Sequence, residues 1–267
     1  MIKILFFGDT VGRLGREAVK KNLSELKARY QPDLIIMNAE NLAHGFGATK
    51  KIILEMCEAG VDLFTSGNHI WNNEKYEEIF ADSDLEKIVL RPFNDIKKPG
   101  RGFTIIEKTG IKIFVANLLG TTFMEEAGAK NFLAAADDLI AQAATAVARI
   151  SLIDFHAEAT SEKAVLGLYL DGRASAVVGT HTHVPTADEK ILPQGEAFIS
   201  DVGMTGAYNQ AIGGAYEPIV AGMRIGELGK FEVPETGPVE INAVVIEINS
   251  ETGKAIKIER IRLIIVN

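Results

Sequence analysis

Residues 2–41 read IKILFFGDTVGRLGREAVKKNLSELKARYQPDLIIMNAEN. The reading of this stretch decides the fold class. Residues 2–8 are a short, nearly continuous apolar run with a glycine exit, the pattern of a strand buried on both faces. In residues 15–30, Val19, Leu23, Leu26 and Tyr30 recur at helical spacing, and polar residues fill the other face. Residues 33–40 are apolar again and end in polar side chains, a second strand. Strand, helix and strand in this order predict an α/β fold.

The rhythm continues downstream. Residues 49–60 predict a helix closed by Gly60, and residues 61–69, VDLFTSGNH, predict a strand with a polar exit. Residues 102–120 then read as two strands around a turn at Thr109-Gly110. Residues 130–150 are Ala-rich with a helical apolar face. Strands are predicted at 151–158, 174–183 and 196–204, a helix at 161–172, and a closing hairpin at 240–265 with SETG at its turn. The Gly-rich stretch 208–237 predicts a loop with one short helix. There is no repeat, low-complexity tract or linker, so residues 1–267 read as a single domain with a mixed sheet or two stacked sheets.

Composition limits the function. The net charge is −8, which argues against a broad nucleic-acid-coating surface, since phosphate backbones require clustered Lys and Arg. A small phosphorylated substrate held by metal is not excluded. The one cysteine, Cys57, cannot form an intramolecular disulfide and sits in a helical pattern as a core residue. The N-terminal apolar run is too short for a signal peptide, and no window approaches a membrane span, so the expected location is cytoplasmic.

Polar residues able to bind metal repeatedly follow an apolar strand. FFGD delivers Asp9, IIMNAEN delivers Glu40 and Asn41, and FTSGNH delivers Asn68 and His69. LIDFHAE delivers His156, and VVGTHTH delivers His181 and His183. In an α/β fold the carboxyl ends of neighbouring strands open onto one edge, so these residues can share a site. Four of the five histidines lie at these exits, and the fifth, His44, stands four residues after Glu40. Taken singly, each has an ordinary explanation. Asp9 could be a turn residue, GNH a turn and His156 a hydrogen-bonded core residue. The His-Thr-His pair is the most specific single signal, because i and i+2 side chains share a face in extended chain. It could grip one ion or serve two.

Together these residues form a nitrogen and oxygen donor set suited to Mn, Fe or Zn, with no cysteine to make a closed structural zinc site. Mixed ligation with open positions fits a catalytic pair of ions. A metal-dependent amidohydrolase on a (β/α)₈ barrel also uses a His-x-His pair. There the pair follows the first strand, and the hairpins at 102–117 and 240–265 break the barrel rhythm. A non-catalytic regulatory protein that keeps the metal site as a sensor is the other alternative.

GD after the first strand, NAEN, GNH, DFHAEATSEK (154–163) and GRASAVVGTHTHV (172–184), with ISDVGMTG (199–206), resemble the calcineurin-like metallophosphoesterases. More closely they resemble the YmdB-like branch of bacterial phosphodiesterases, and the resemblance runs nearly from end to end. It implies two mixed β-sheets sandwiched between helices (α/β/β/α). The superfamily opens on Asp-x-His, whereas here Asp9-Thr10-Val11 has no histidine and Glu40 replaces the usual bridging aspartate, as in the YmdB-like branch.

The resemblance implies two divalent ions, Fe or Mn. One is held by Asp9, Glu40, Asn41 and His183, the other by Glu40, Asn68, His156 and His181. It implies a metal-bridging hydroxide as nucleophile, His69 as general acid, and a small phosphodiester, a 2′,3′-cyclic nucleotide, as substrate. His181 and His183 then face different ions, with Thr182 pointing away between them. NLLGTTFM (117–124) stands where the branch carries a Gln-Gly-Arg-type loop, so an arginine that could touch substrate is missing. A homo-oligomer remains compatible with the sequence.

Overall fold

A computed structural model describes residues 1–96, 98–124 and 131–266. The chain runs through β1 (Ile2–Thr10), α1 (Gly12–Tyr30), β2 (Leu34–Asn38), α2 (Lys50–Ala59), β3 (Leu63–Thr65), α3 (Tyr76–Phe80) and α4 (Leu85–Ile88). It continues through β4 (Phe103–Lys108), β5 (Ile111–Leu119), α5 (Phe132–Thr145), β6 (Ile150–His156), α6 (Thr160–Leu170) and β7 (Ala176–Thr180). It ends with β8 (Lys190–Ile191), β9 (Ala197–Ile199), β10 (Met204–Ala207), α7 (Tyr216–Arg224), β11 (Val239–Ile248) and β12 (Ala255–Ile265).

Two six-stranded sheets result, in the orders β12-β11-β10-β1-β2-β3 and β4-β5-β6-β7-β9-β8. Both are mixed. β1, β2 and β3 are parallel neighbours, as are β5, β6, β7 and β9, while the hairpins β4–β5 and β11–β12 are antiparallel. The alternation of side chains along a strand builds the layers. Ile4 and Phe6 face inward onto Ile113, Val115, Leu152 and Val178 of the other sheet. Leu5 and Phe7 face outward onto Val19, Leu23 and Met56 of the first two helices. Phe114, Ile153 and Phe155 cover the far side against Leu139 and Leu166 of α5 and α6. This is the expected α/β/β/α sandwich, and two open sheets rule out the (β/α)₈ barrel.

Several predicted boundaries move, each for a local reason. The predicted helix 130–150 stops at Thr145, because Val147 turns left-handed (φ 55°) and Ala148 N–H closes on the Ala143 carbonyl. Its expected first residue, Lys130, lies outside the described residues. The strand predicted at 196–204 is two strands. β9 pairs in one sheet, residues 200–203 cross between the layers, and β10 pairs beside β1 in the other. Cys57 is half-buried, packed against the core beneath α2 rather than inside it. The stretch 208–237 contains the one short helix expected, α7. Among the described residues no helix is long and apolar enough to cross a membrane.

One buried group works against the fold. Glu196, just before β9, is 0% exposed, and neither carboxyl oxygen has a hydrogen-bond partner among the described residues. Burial, with Asp171 adding like charge, pushes its acid up to about 9. The native state therefore keeps the proton between about 4.5 and about 9, while the unfolded chain releases it, so stability falls as pH rises through that window. Glu196→Gln, which cannot ionise, is expected to melt progressively higher than the native chain as pH rises from 5 to 8. A margin of several °C at pH 8 is expected, since 1 kcal/mol moves Tm by about 2–4 °C in a chain of this size. Calorimetric melts of both proteins across that range check it. A constant margin would mean that the Glu196 carboxyl is solvated.

Candidate metal centre

The parallel strands place their carboxyl ends along one edge, and the two sheets bring two half-sites face to face. The first sheet supplies Asp9 from the end of β1, Glu40 and Asn41 from the turn after β2, and Asn68 and His69 from the loop after β3. The second supplies His156 from the last position of β6, and His181 and His183 from the loop after β7. The halves meet. His181 N–H donates to Asp9 Oδ2 (3.0 Å), His156 Nε2 lies 3.5 Å from Glu40 Oε1, and His183 Nε2 lies 3.9 Å from Asp9 Oδ1. His69 donates its backbone N–H to Glu40 Oε1 (2.6 Å) and holds Nδ1 3.2 Å from the same oxygen. Gly67 makes the closure possible, since a Cβ there would sit 2.2 Å from His156 Nε2. His44 is exposed and does not line the cavity onto which Glu40, Asn41, His69, His181 and His183 open, while Asp9, Asn68 and His156 lie outside that lining.

Each of the three predicted histidine ligands has its outward ring nitrogen committed elsewhere. Thr180 Oγ1 donates to Asp154 Oδ1 (2.7 Å), so it accepts from His156 Nδ1 (2.9 Å) and leaves Nε2 as the lone pair facing Glu40. His183 Nδ1 donates to the Ile212 carbonyl (2.8 Å), which fixes its lone pair on Nε2. His181 Nε2 lies 3.1 Å from Glu158 Oε2, which leaves Nδ1 facing inward. This is how metal-ligating imidazoles are oriented, through a partner behind the ring.

What faces inward is a set of acceptors without donors. Asn41 gives its Nδ2 to the Gly45 carbonyl, so its Oδ1 meets His183 Nε2 at 3.2 Å, oxygen lone pair against nitrogen lone pair. His181 Nδ1 meets His156 Nε2 at 3.1 Å. Asp9 Oδ1, Glu40 Oε2 and Asn68 Oδ1 are buried with no hydrogen-bond partner among the described residues. Among the described residues, no three His, Cys, Asp or Glu side chains stand in an assembled metal geometry. The His–His and His–Asn contacts hold these groups against one another, where a cation would sit between them. The donor set itself fits divalent cations, because only positive charge satisfies so many convergent lone pairs at once.

The electrostatics agree. Burial pushes the Glu40 acid up to about 7, against the pull of His69, and raises Asp9 against the pull of His183 and His156. Burial lowers His156 to about 4. Burial, then the neighbouring His156 and His183, lowers His181 to about 2. The imidazoles of His156 and His181 are therefore neutral at pH 7, with lone pairs available.

The expectation from extended geometry is corrected here. β7 ends at Thr180, and His181 and His183 both take left-handed backbone (φ 102° and 66°), so the pair does not share a face by strand alternation. Thr182 is tied inward instead. Its N–H and Oγ1 both donate to Asp201 Oδ2, which the Lys163 ammonium meets at 2.6 Å, and both partners of that ion pair are buried. Asp154, Thr180, Glu158, Asp201 and Lys163 were not singled out by sequence reasoning. The available signal was a charged residue inside an apolar element, as with Asp154 between Ile153 and Phe155.

Residues 5–261 match the family model described as YmdB-like protein. The chain is 48% identical to the 2′,3′-cyclic-nucleotide 2′-phosphodiesterase of Bacillus subtilis, over 97% of this chain and 96% of that one. It is similar to the crystal structure of a novel phosphatase from Mycoplasma pneumoniae, with TM-score 0.90, 37% identity, and 98% and 93% of the two chains covered. The Haemophilus influenzae NAD nucleotidase shares the fold alone, with TM-score 0.58 and 16% identity over 99% of this chain and 56% of that one. These neighbours bear out the calcineurin-like metallophosphoesterase fold.

Thr180→Val removes the acceptor behind His156 while nearly keeping shape. Divalent-metal affinity is expected to fall about 10–100-fold with the fold intact, as for other partners of metal ligands. Competition against a chelating dye, with circular dichroism alongside, measures it, and unchanged affinity would show that His156 needs no such partner. A metal bound through Glu40 would first have to displace its proton. Affinity should therefore strengthen about ten-fold per pH unit up to about 7 and level off above it.

Proposed function

The chain belongs to the YmdB-like family, and on that premise we propose that it is a metal-dependent phosphodiesterase whose substrates are 2′,3′-cyclic nucleotides. The observation that carries this reading is the array of buried, unpartnered acceptors, which at Glu40 borders a cavity of about 360 Å³ with no Lys or Arg in its lining among the described residues. In this reading Asp9, Glu40, Asn41 and His183 hold one ion, and Glu40, Asn68, His156 and His181 hold the other. Glu40 would be shared by the two ions, and the ions would be Fe or Mn. Such ions neutralise a phosphate and lower the pKa of a shared water.

The side chains around that array have separate tasks. Glu40 reaches both half-sites through Oε1, which accepts the His69 backbone N–H on its own side and lies 3.5 Å from His156 Nε2 on the other, while Oε2 has no hydrogen-bond partner among the described residues. Asn38 and Thr180 keep Asp154 placed behind His156. His69 is partly exposed toward the cavity with Nδ1 held at Glu40, so its Nε2 is the atom that passes a proton to the departing alkoxide. Glu158 stands on the rim, where its negative charge repels a dianionic monoester more than a monoanionic diester. The name of the Bacillus subtilis relative supports the cyclic nucleotide and the 2′ position of cleavage.

His69→Ala is expected to slow alkyl phosphodiesters about 10²–10⁴-fold. Activated aryl esters, which need no proton, should slow far less, with metal content near normal. Steady-state rates on both ester classes, with elemental analysis, test this. If the metal leaves with His69, the general-acid assignment is wrong. Glu40→Gln should lower metal occupancy and turnover together, and normal turnover in that variant would sink the two-ion reading.

A further inference from the structure

The cavity has a second wall that no step above uses. Beside Glu40, His69 and His183, its lining also holds Phe46, Ile212 and Phe231. Phe46 meets the His69 ring edge-on at 5.2 Å and 79°, and meets Phe231 at 5.4 Å and 64°. Its ring is 39% exposed. Phe231 comes from the Gly-rich stretch 208–237, whose sequence is compatible with a part in shaping the substrate pocket.

This wall is built into the fold. Phe231 is wedged between two glycines. A Cβ at Gly45, whose φ is 93°, would lie 2.9 Å from its Cε1, and a Cβ at Gly214 would lie 2.7 Å from its Cδ2 and Cε2. Ile212 is a β-branched residue held in left-handed backbone (φ 43°), a conformation such residues rarely adopt. Its carbonyl accepts the His183 Nδ1 proton, which keeps the adjoining side chain at the cavity mouth, 53% exposed. Exposed apolar groups fixed by close glycines and backbone strain indicate a surface kept for a ligand.

The ligand class follows from what the wall offers and lacks. It presents flat, apolar faces beside His69, hence beside the reacting atoms. Among the described residues no Lys or Arg lines the cavity to grip a second phosphate or an extended polyanion. Asn41, the one carboxamide in the lining, is committed to Gly45 and faces His183. We infer that Phe46 and Phe231, with Ile212, form a stacking subsite for the nucleobase of the substrate, reading it as a flat ring rather than by hydrogen bonds to its edge. The inference rests on the phosphodiesterase reading. It deepens that reading by making the base part of recognition and by predicting weak discrimination among bases.

The test compares adenosine 2′,3′-cyclic phosphate with the base-less methyl riboside 2′,3′-cyclic phosphate. The metal-loaded native chain, Phe46→Leu, Phe231→Leu and the double variant are assayed on both. Base–aromatic stacking of the usual strength gives the native chain a preference of about 10–100-fold in kcat/KM for the nucleotide. The variants should lose most of that preference through KM, while the base-less ester moves far less. Equal use of both esters by the native chain, or equal losses on both in the variants, overturns the subsite. Hydrolysis of neither ester by the native chain overturns the phosphodiesterase reading instead. Calorimetric binding of adenosine 3′-phosphate then still decides: weaker binding to the double variant upholds the subsite, and unchanged binding overturns it.

Discussion

Burying lone pairs without protons to share is the constraint on which the rest of this structure depends. Asp9 is 0% and Glu40 1% exposed, and among the described residues no lysine or arginine lines the cavity that Glu40 borders. Desolvating a carboxylate costs several kcal/mol even after relaxation, unless a charge compensates it. Hydrogen bonds can relieve this only in part. His181 N–H satisfies one oxygen of Asp9, and His69 N–H satisfies one of Glu40, while the other oxygen of each is left without a partner. The surrounding imidazoles add lone pairs rather than protons. Cations between the half-sites would satisfy these lone pairs, and the sheets provide the rigidity that keeps the half-sites opposed.

That rigidity comes from register. β1 is paired with β2, β10 and β11, and β6 lies between β5 and β7, so the strand ends that carry Asp9 and His156 are central. Moving either end would break ladders on both sides. The loop carrying His181 and His183 has no such support, and it takes the strained backbone. There the buried Lys163–Asp201 pair substitutes for sheet hydrogen bonds by fixing Thr182 between the two histidines. A buried ion pair is weak evidence of stability in itself. Here it gives one loop one conformation.

The sequence made the ligands legible because each follows an apolar strand, and strand-then-polar-exit is a local pattern. Asp9, Glu40, Asn41, Asn68, His156, His181 and His183 were all found in this way, and the structure places their elements along one edge. The groups behind the histidines were not legible. Asp154 and Thr180 are 26 residues apart, and Ile212 lies 29 residues from His183. Nothing local marks such pairs, because they exist only once β6 lies beside β7 and the stretch after β10 folds back. The same limit explains residues 196–204. Their apolar pattern suits one strand, but Ser200–Gly203 turns the chain from one sheet into the other, and only the three-dimensional pairing shows that.

The two ends of the molecule treat buried acid differently, and the difference separates function from accident. Glu196 is buried with no hydrogen-bond partner among the described residues, its charged neighbour Asp171 is another acid, and protonation relieves it. Glu40 is equally buried, but it has His69 and His156 within 3.5 Å and a free oxygen aimed into a cavity. A glutamate suits that place. It stands in a turn beyond the end of β2, and one of its oxygens comes within 3.5 Å of a ring carried by the opposite sheet. A side chain one methylene shorter, starting from the same turn, would fall short of that ring, so the residue that replaces the superfamily's usual aspartate is the one that lets a turn, rather than a strand, link the two half-sites.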